Sequence, residues 1–360
     1  MTLHERMMRV YQNKQPDKHA LGIYTRYLKR GNMERNVRNE GMGIIDYVAL
    51  TTQIGPPWHL TPEFISEVRE TDINIQFYFE NGIRKERRSY KTPVGEVYAE
   101  VGASLGDGSE HISRYYITRP EDYQVIKYIV DNTVIKSNEN IFLHHCETIG
   151  DDGVVLGRLD RNPYQKIMIE LAGAEQFLMD LYTDPDPVLE LMASIQKRMD
   201  EQFEQVLESK ADILWMPDNV TADMTPPADF EKYLLPGYQK YTRLAHQAGK
   251  TVVAHFDGKI KALSALINET GIDVIESVSD PMISGDIDYE NACISFPNKV
   301  ILPNFPANLA LKTKEVIQEY VRVLRAKAAW KPFMLQVSED LDEKAYCTVL
   351  PILAEAMNAI

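Results

Sequence analysis

The chain has 360 residues, 44% of them hydrophobic, enough for a large core, and a formal net charge of −14. An acidic protein lacks the cationic face that a nucleic acid or an anionic membrane requires, and no apolar run reaches the roughly 18 residues of a membrane span. The opening Met1-Thr2-Leu3-His4-Glu5-Arg6 has no signal-peptide core, and Cys146, Cys293 and Cys347 are too far apart for a CxxC pair, so a reduced, cytoplasmic protein is expected.

In chain order, residues 3–13 read as a short helix and Asp17–Tyr24 as a first strand. A polar helix over 34–41 follows, then a second strand at Gly43–Val48. Residues 73–115 differ: alternating runs at Ile75–Glu80 and Val97–Val101 flank the turn signals Glu80-Asn81-Gly82 and Pro93-Val94-Gly95, which predicts an antiparallel hairpin insertion. From residue 119 the pattern is regular. Helices are expected at 119–132, 163–180, 185–209, 228–248, 258–270, 286–295, 313–328 and 343–358. Short apolar strands fall at 153–159, 211–216, 250–254, 272–276, 299–303 and 332–337. Strict alternation implies right-handed βαβ units, and eight strands imply a single α/β domain over residues 1–360, a (β/α)8 TIM barrel with an N-terminal β-hairpin insertion. No GxGxxG or GxxxxGK[ST] follows a strand, so a nucleotide-binding sheet has no support.

In a barrel the chemistry sits where strands end. Asp218-Asn219, His255-Phe256-Asp257, Glu276, Asn304 and Glu339 occupy such places, and Arg158 and Asp160 end an earlier strand. His255 and Asp257 with Glu339 or Glu276 have the residue types of a zinc site; a hydrogen-bonded His–Asp pair that orients substrate is the alternative. Asp218 and Asn219 are substrate hydrogen-bonding candidates, or else a turn and helix cap. Glu276 is a base, a ligand or an acceptor that fixes His255. Tyr24 and Arg26 follow the first strand, where Arg26 is placed to clamp an anionic group or to make a surface salt bridge. His144-His145-Cys146 lies in a polar helical connection without matching ligands, and packing explains it better than a metal; His4, His19, His59, His111 and His246 have no supporting context.

Several segments resemble the uroporphyrinogen decarboxylase superfamily. Glu5-Arg6 with Pro16-Asp17 is similar to its opening "ER…PD", Thr92–Gly95 to its "TPxG" hairpin, and Arg119–Tyr123 to its "sPEDy" helix start. Gly249-Lys250, His255–Gly258, Gly271–Asp273 and Ile275-Glu276 resemble its "aGK…HxDG…GxDxiE" series, and Pro281 with Gly285-Asp286 its "P…GD". The resemblance spans nearly the whole chain and implies one of two chemistries, porphyrinogen decarboxylation or zinc-assisted methyl transfer with a corrinoid. Where the decarboxylases carry "RQAGR" this chain has Tyr24–Arg30, and their "FSDIL" is replaced by Ile44–Val48, which counts against decarboxylation. Thiol-methylating members hold zinc on "HxC" and a later Cys; here the matching places are His255, Asp257 and Ser338-Glu339, which suit an oxygen-linked methyl donor better than a thiol. The resemblance thus implies a corrinoid-dependent methyltransferase of the O-demethylating kind. It would take a methyl group from a small methoxylated, aromatic substrate, with Zn2+ on His255, Asp257 and Glu339. Catalysis would rest on His255, Asp257, Glu276 and Glu339, and substrate binding on Tyr24, Arg26, Asp218, Asn219 and Asn304. No DxHxxG stretch occurs, so the corrinoid is expected on a separate protein. Transfer from methylcorrinoid to a thiol or pterin, and decarboxylase-like lysis, are the alternatives; a homodimer is the default assembly.

Overall fold

The computed structural model describes residues 1–29, 31–57, 60, 64–103, 110–328, 331–341 and 343–359. Arg30 and His59 lie outside these, as do residues 104–109 of the expected insertion. In chain order the strands are β1 (Ala20–Tyr24), β2 (Met42–Ala49), β3 (Asp72–Glu80), β4 (Ile83–Thr92), β5 (Gly95–Ala103), β6 (Glu110–Arg114), β7 (Gly153–Arg158), β8 (Ile213–Met216), β9 (Thr251–His255), β10 (Val274–Val278), β11 (Val300–Pro303) and β12 (Met334–Val337). Contacts divide the chain into two compact units, residues 1–48, 140–159 and 210–360 in one and 49–139 and 160–209 in the other.

The first unit is the barrel. Eight strands pair in the order β11-β10-β9-β8-β7-β2-β1-β12. The pairs given by register are parallel, such as Ile23 with Val337 and Glu276 with His255. A parallel bridge between Asn304 and Gln336, with Phe305 N donating to Gln336 O at 2.7 Å, brings the two ends of the sheet together. This is the expected α/β barrel. Side chains alternate across each strand, so every second residue points inward. Ala20, Ile45, Val154, Leu156, Ile213, Val253, Val274, Val300, Leu302 and Met334 fill the interior, and Met7, Val10 and Tyr11 of the helix Leu3–Tyr11 pack into the same core. That helix starts with a capping box, Thr2 and Glu5 satisfying each other's backbone N–H. Gly43 admits it: a Cβ there would lie 2.2 Å from Met7 Sδ.

Some boundaries move. The first strand begins at Ala20 rather than Asp17, because Asp17 is held by Arg6 at 2.7 Å. No helix continues directly from His255-Phe256-Asp257-Gly258; a 3-10 turn at Lys261–Leu263 precedes the short helix Ser264–Glu269. Asp286 explains the delay, since its carboxylate accepts from Ile260 N (2.9 Å) and Lys261 N (3.1 Å) and so caps the turn from another loop. The helix expected over 228–248 contains a π turn at Phe230–Leu234, and the one expected over 286–295 starts at Tyr289, where Asp288 caps it.

The second unit holds the antiparallel sheet β3-β4-β5-β6, as the alternation and turn residues of the insertion led one to expect. Its helices include Asp122–Asn132, Ala174–Thr183 and Pro185–Glu208. Among the described residues no helix is long and apolar enough to cross a membrane.

Candidate active site

The barrel's alternation decides what its mouth contains. Two residues beyond inward-facing Val253 comes His255, beyond Val274 comes Glu276, and beyond Ile213 comes Trp215; Tyr24, Tyr47 and Gln336 follow Gly22, Ile45 and Met334 in the same way. The apolar layers of the interior therefore end in a polar and aromatic layer at the carboxyl ends of the strands.

Glu276 is its centre. The side chain is fully buried and takes donors from four directions. Tyr24 Oη donates to Oε1 at 2.5 Å, Trp215 Nε1 donates to the same oxygen, and Gln336 Nε2 donates to Oε2 at 3.1 Å. His255 Nδ1 stands 3.1 Å from Oε1 and 3.2 Å from Tyr24 Oη. On the other side of the imidazole, Nε2 faces Asp257 Oδ2 at 3.5 Å, and Asn219 Nδ2 donates to that oxygen at 2.9 Å. Exposure of the side chains climbs along the row, from 0% at Glu276 through 9% at His255 to 30% at Asp257. The row thus runs from the core to the open mouth.

The backbone is bent to make it. Ser277 has φ +59° inside β10, at a register shift between Glu276 and Val278, and Asn219 has φ +49° after β8. Left-handed backbone at non-glycine residues costs about 1–3 kcal/mol and collects at functional sites. Ser277 is held there by its N–H to Gln336 Oε1 (3.2 Å) and its hydroxyl against Ser338 (2.7 Å). Asn219 N donates to His255 O at 3.0 Å.

The electrostatics follow from this packing. Burial disfavours charge on His255, but the hydrogen bonds and charges of Asp257 and Glu276 outweigh it and raise the imidazole to about 9. At neutral pH it is an imidazolium donating from both nitrogens. Burial would lift Asp257, yet the bond and charge of His255 hold it below the ordinary carboxylate value. Glu339 moves the other way: burial, then the negative charge of Asp257, raise it despite His255 and Asn304. Tyr24 is raised well above its usual value by burial and by Glu276, so it remains a neutral donor.

The other nominated residues fall into place around the row. Tyr47 stacks on Trp215 at 4.8 Å and meets Tyr24 edge-on at 5.7 Å, giving the mouth an aromatic wall. Arg26 is exposed on the 3-10 turn Thr25–Tyr27, its guanidinium 4.9 Å from the Tyr27 ring centre and hydrogen-bonded to Tyr47. Asn304 is buried and accepts from Ser338 N (3.1 Å) and Oγ (2.9 Å), fixing the end of β12 where Glu339 follows. Asp218 takes Tyr238 Oη at 2.5 Å from the outer helix Leu235–Gln247, a tie between strand end and helix. His145 pairs with Asp46 at 2.7 Å, and Thr25 donates to the same carboxylate at 2.8 Å. Trp215, Tyr47 and Gln336 were not nominated from the sequence; their signal was parity, since each is polar or aromatic at an inward position of an apolar strand.

As placed, the row does not fit a metal. Among the described residues no three His, Cys, Asp or Glu side chains are grouped to hold one. Both nitrogens of His255 face carboxylates, Nδ1 towards Glu276 at 3.1 Å and Nε2 towards Asp257 at 3.5 Å.

A parallel barrel with an acid–base row at the carboxyl ends of its strands is the architecture of a barrel enzyme. A uroporphyrinogen decarboxylase (URO-D) family model matches residues 166–340, just under half of the chain, a stretch that includes β8 to β12 and holds His255, Asp257, Glu276 and Glu339. Over the whole chain the fold is similar to a methyltransferase from Methanosarcina mazei, with a TM-score of 0.57 and 11% identity, covering 99% of this chain and 98% of that one. At that identity the likeness speaks for the fold. Two fainter likenesses carry no argument. One is to an octameric ribulose-1,5-bisphosphate carboxylase/oxygenase from Pyrococcus horikoshii (TM-score 0.34, 10% identity, 67% of this chain and 46% of that one). The other is to a chitinase from Chromobacterium violaceum (TM-score 0.35, 9% identity, 63% of this chain and 88% of that one). No curated protein sequence matches the chain.

Proposed function

We propose that this protein is a methyltransferase that removes the methyl group of a methoxylated aromatic substrate and passes it to the corrinoid of a separate protein. The observation that carries the reading is His255, a cation held between Glu276 and Asp257 with its outer nitrogen towards the mouth. Breaking an aryl methyl ether releases a phenolate, and a free phenol titrates near 10. A donor at about 9 is charged at neutral pH and close enough in acidity to pass its proton as the C–O bond breaks. Tyr47, half-buried and stacked on the buried Trp215, offers an aromatic surface for the ring. The corrinoid acts as second substrate, supplying a strongly nucleophilic cobalt that takes the methyl group.

The atoms balance: the methyl group leaves the ether oxygen for the corrinoid, and the proton of His255 Nε2 goes to that oxygen, giving a phenol. Asp257 and Glu276 keep the imidazolium oriented, and reprotonation from solvent through the exposed Asp257 side resets it. No step passes through a metal. The test mixes the protein with a reduced corrinoid protein and a panel of methoxylated aromatics, following phenol release and the corrinoid spectrum together. Coupled formation of both products supports the reading. Release of carbon dioxide from a porphyrinogen, or methyl flow from methylcorrinoid to a thiol or pterin, without ether cleavage, would replace it.

A further inference from the structure

The second unit carries a feature with no part in this chemistry. β3 is an edge strand: it pairs with β4 over its whole length, Asp72 with Lys91 through to Glu80 with Ile83, and among the described residues no strand pairs its other side. Soluble proteins protect such edges with lysines, prolines, bulges or short strands. β3 has none of these. It is nine residues long, its register with β4 is unbroken, and its sequence Asp-Ile-Asn-Ile-Gln-Phe-Tyr-Phe-Glu puts Ile73, Ile75, Phe77 and Phe79 on one face. Three of the four are exposed, Ile73 by 39%, Phe77 by 55% and Phe79 by 76%.

The backbone points the same way. Asn81 (φ +53°) and Gly82 (φ +78°) form a two-residue turn with both central residues left-handed, so Glu80 and Ile83, which close it, exchange both hydrogen bonds. Alternation from Glu80 aims the N–H and C=O groups of Asn74, Gln76 and Tyr78 at β4. Those of Ile73, Ile75, Phe77 and Phe79 aim outward. The residues with unused backbone groups are therefore the residues of the apolar stripe.

We infer that β3 pairs antiparallel with β3 of a second copy of this chain about a two-fold axis, joining two four-stranded sheets into one. The sequence is self-complementary in this sense. Outward-facing residues must oppose one another, which leaves three central registers, with the axis at Gln76, on Ile75 or on Phe77. One sets Ile75 against Phe77 and Ile73 against Phe79, but also Asp72 against Glu80 at both ends, a like-charge clash. A second centres on Ile75 against Ile75 and sets Ile73 against Phe77, which leaves Phe79 opposite Thr71 beyond the strand; the third centres on Phe77 against Phe77, sets Ile75 against Phe79, and faces Glu80 with Asn74. Charge disfavours the first, and the third is preferred to the second because it pairs both of the most exposed side chains of the stripe, Phe77 and Phe79. Two-fold self-pairing is the commonest closed assembly and removes both edges at once.

The test is the mass in solution by light scattering on a sizing column. Wild type should run at twice the 41.2 kDa of the chain. Phe77→Lys, which sets two ammonium groups face to face on the axis, should run at half that mass. So should Phe77→Pro, which deletes an outward N–H and leaves the β4 ladder intact. Gln76→Lys, on the opposite face, should stay dimeric. Opposed Cα atoms in such a pair lie about 5.5 Å apart, within disulfide reach, so Phe77→Cys should give a reductant-sensitive covalent dimer and Gln76→Cys should not. Circular dichroism of each variant shows whether it folds. A monomeric wild type, or a dimer that survives both Phe77→Lys and Phe77→Pro, overturns the inference.

Discussion

Each unit contains a buried row of charges, and the two rows are built to different ends. In the second unit Lys166 Nζ sits 2.7 Å from Asp160 Oδ1 and 2.9 Å from Glu170 Oε2, and Arg161 Nε sits 2.9 Å from Glu170 Oε1. Ile54 N (2.9 Å) and Gln202 Nε2 (3.2 Å) fill the other oxygen of Asp160. The side chains of Lys166, Asp160 and Glu170 are exposed by 0%, 1% and 2%, and Arg161 at the end of the row by only 7%, so no step of it approaches the 30% exposure of Asp257. In the barrel unit the row Glu276–His255–Asp257 begins equally deep but opens, and its outermost contact is the long one, 3.5 Å. A closed network satisfies every charge and holds a fold. An open one keeps a donor loosely engaged where a substrate can take it over. Burial alone does not separate the two; the gradient of exposure along the row does.

The largest test of that contrast is His255→Ala. Loss of a general acid costs about 10²–10⁴ in turnover. The variant should fold, since Tyr24, Trp215 and Gln336 still donate to Glu276, but with a lower denaturant midpoint because the imidazolium that faced Glu276 is gone, while phenol release falls by that factor; near-normal turnover would remove His255 from the chemistry. Lys166→Met should do the reverse. It strands two carboxylates in a dry interior, a loss of about 3–5 kcal/mol when one partner of a buried pair is removed. A drop of that size in the denaturant midpoint is expected. If Lys166→Met were stable but inactive, the closed row would have to be given a catalytic role.

How much of this was legible in the sequence depends on the range of the interactions. The barrel was, because alternating apolar strands and helices leave one parallel arrangement, and the insertion was, because Asn81-Gly82 is a turn signal with a backbone reason. His255, Asp257 and Glu276 were legible as strand-end residues. What joined them was not: Trp215 and Gln336 reach Glu276 from strands 61 and 60 residues away in sequence. Asp160 illustrates the opposite error. It ends a strand just as Asp257 does, but its carboxylate is consumed by Lys166, six residues on, a pairing that strand-end position does not reveal. The charge state of His255 was likewise hidden, since it depends on two carboxylates meeting one imidazole. A HxD pair read alone suggests a metal ligand as readily as a proton donor.

Acidity is the next test, smaller in effect but closer to the mechanism. A group raised in the folded protein gives stability that is complete below its ordinary pKa of 6.5 and is lost as pH rises through about 9. Activity that needs the imidazolium should share the upper limit, with turnover flat near neutrality and falling with a midpoint near 9. Asp257→Asn takes away one of the two charges that lift His255, so its alkaline limb should move down by about 1 unit or more. A limb that stays in place would mean that the titrating group is not His255.

Arg26→Ala should have the smallest effect and refines the picture at the rim. Arg26 is exposed and touches Tyr27 and Tyr47, not the Glu276–His255–Asp257 row. Losing it removes a contact made equally before and during bond breaking, which raises KM and leaves kcat nearly unchanged. A severalfold rise in KM is the expected outcome, steepest for substrates with an anionic group, since a guanidinium gains most from a carboxylate. The opposite split, a fall in kcat at constant KM, would place Arg26 against the reacting oxygen. The boundary of the open row would then extend past Asp257 to the first strand's turn.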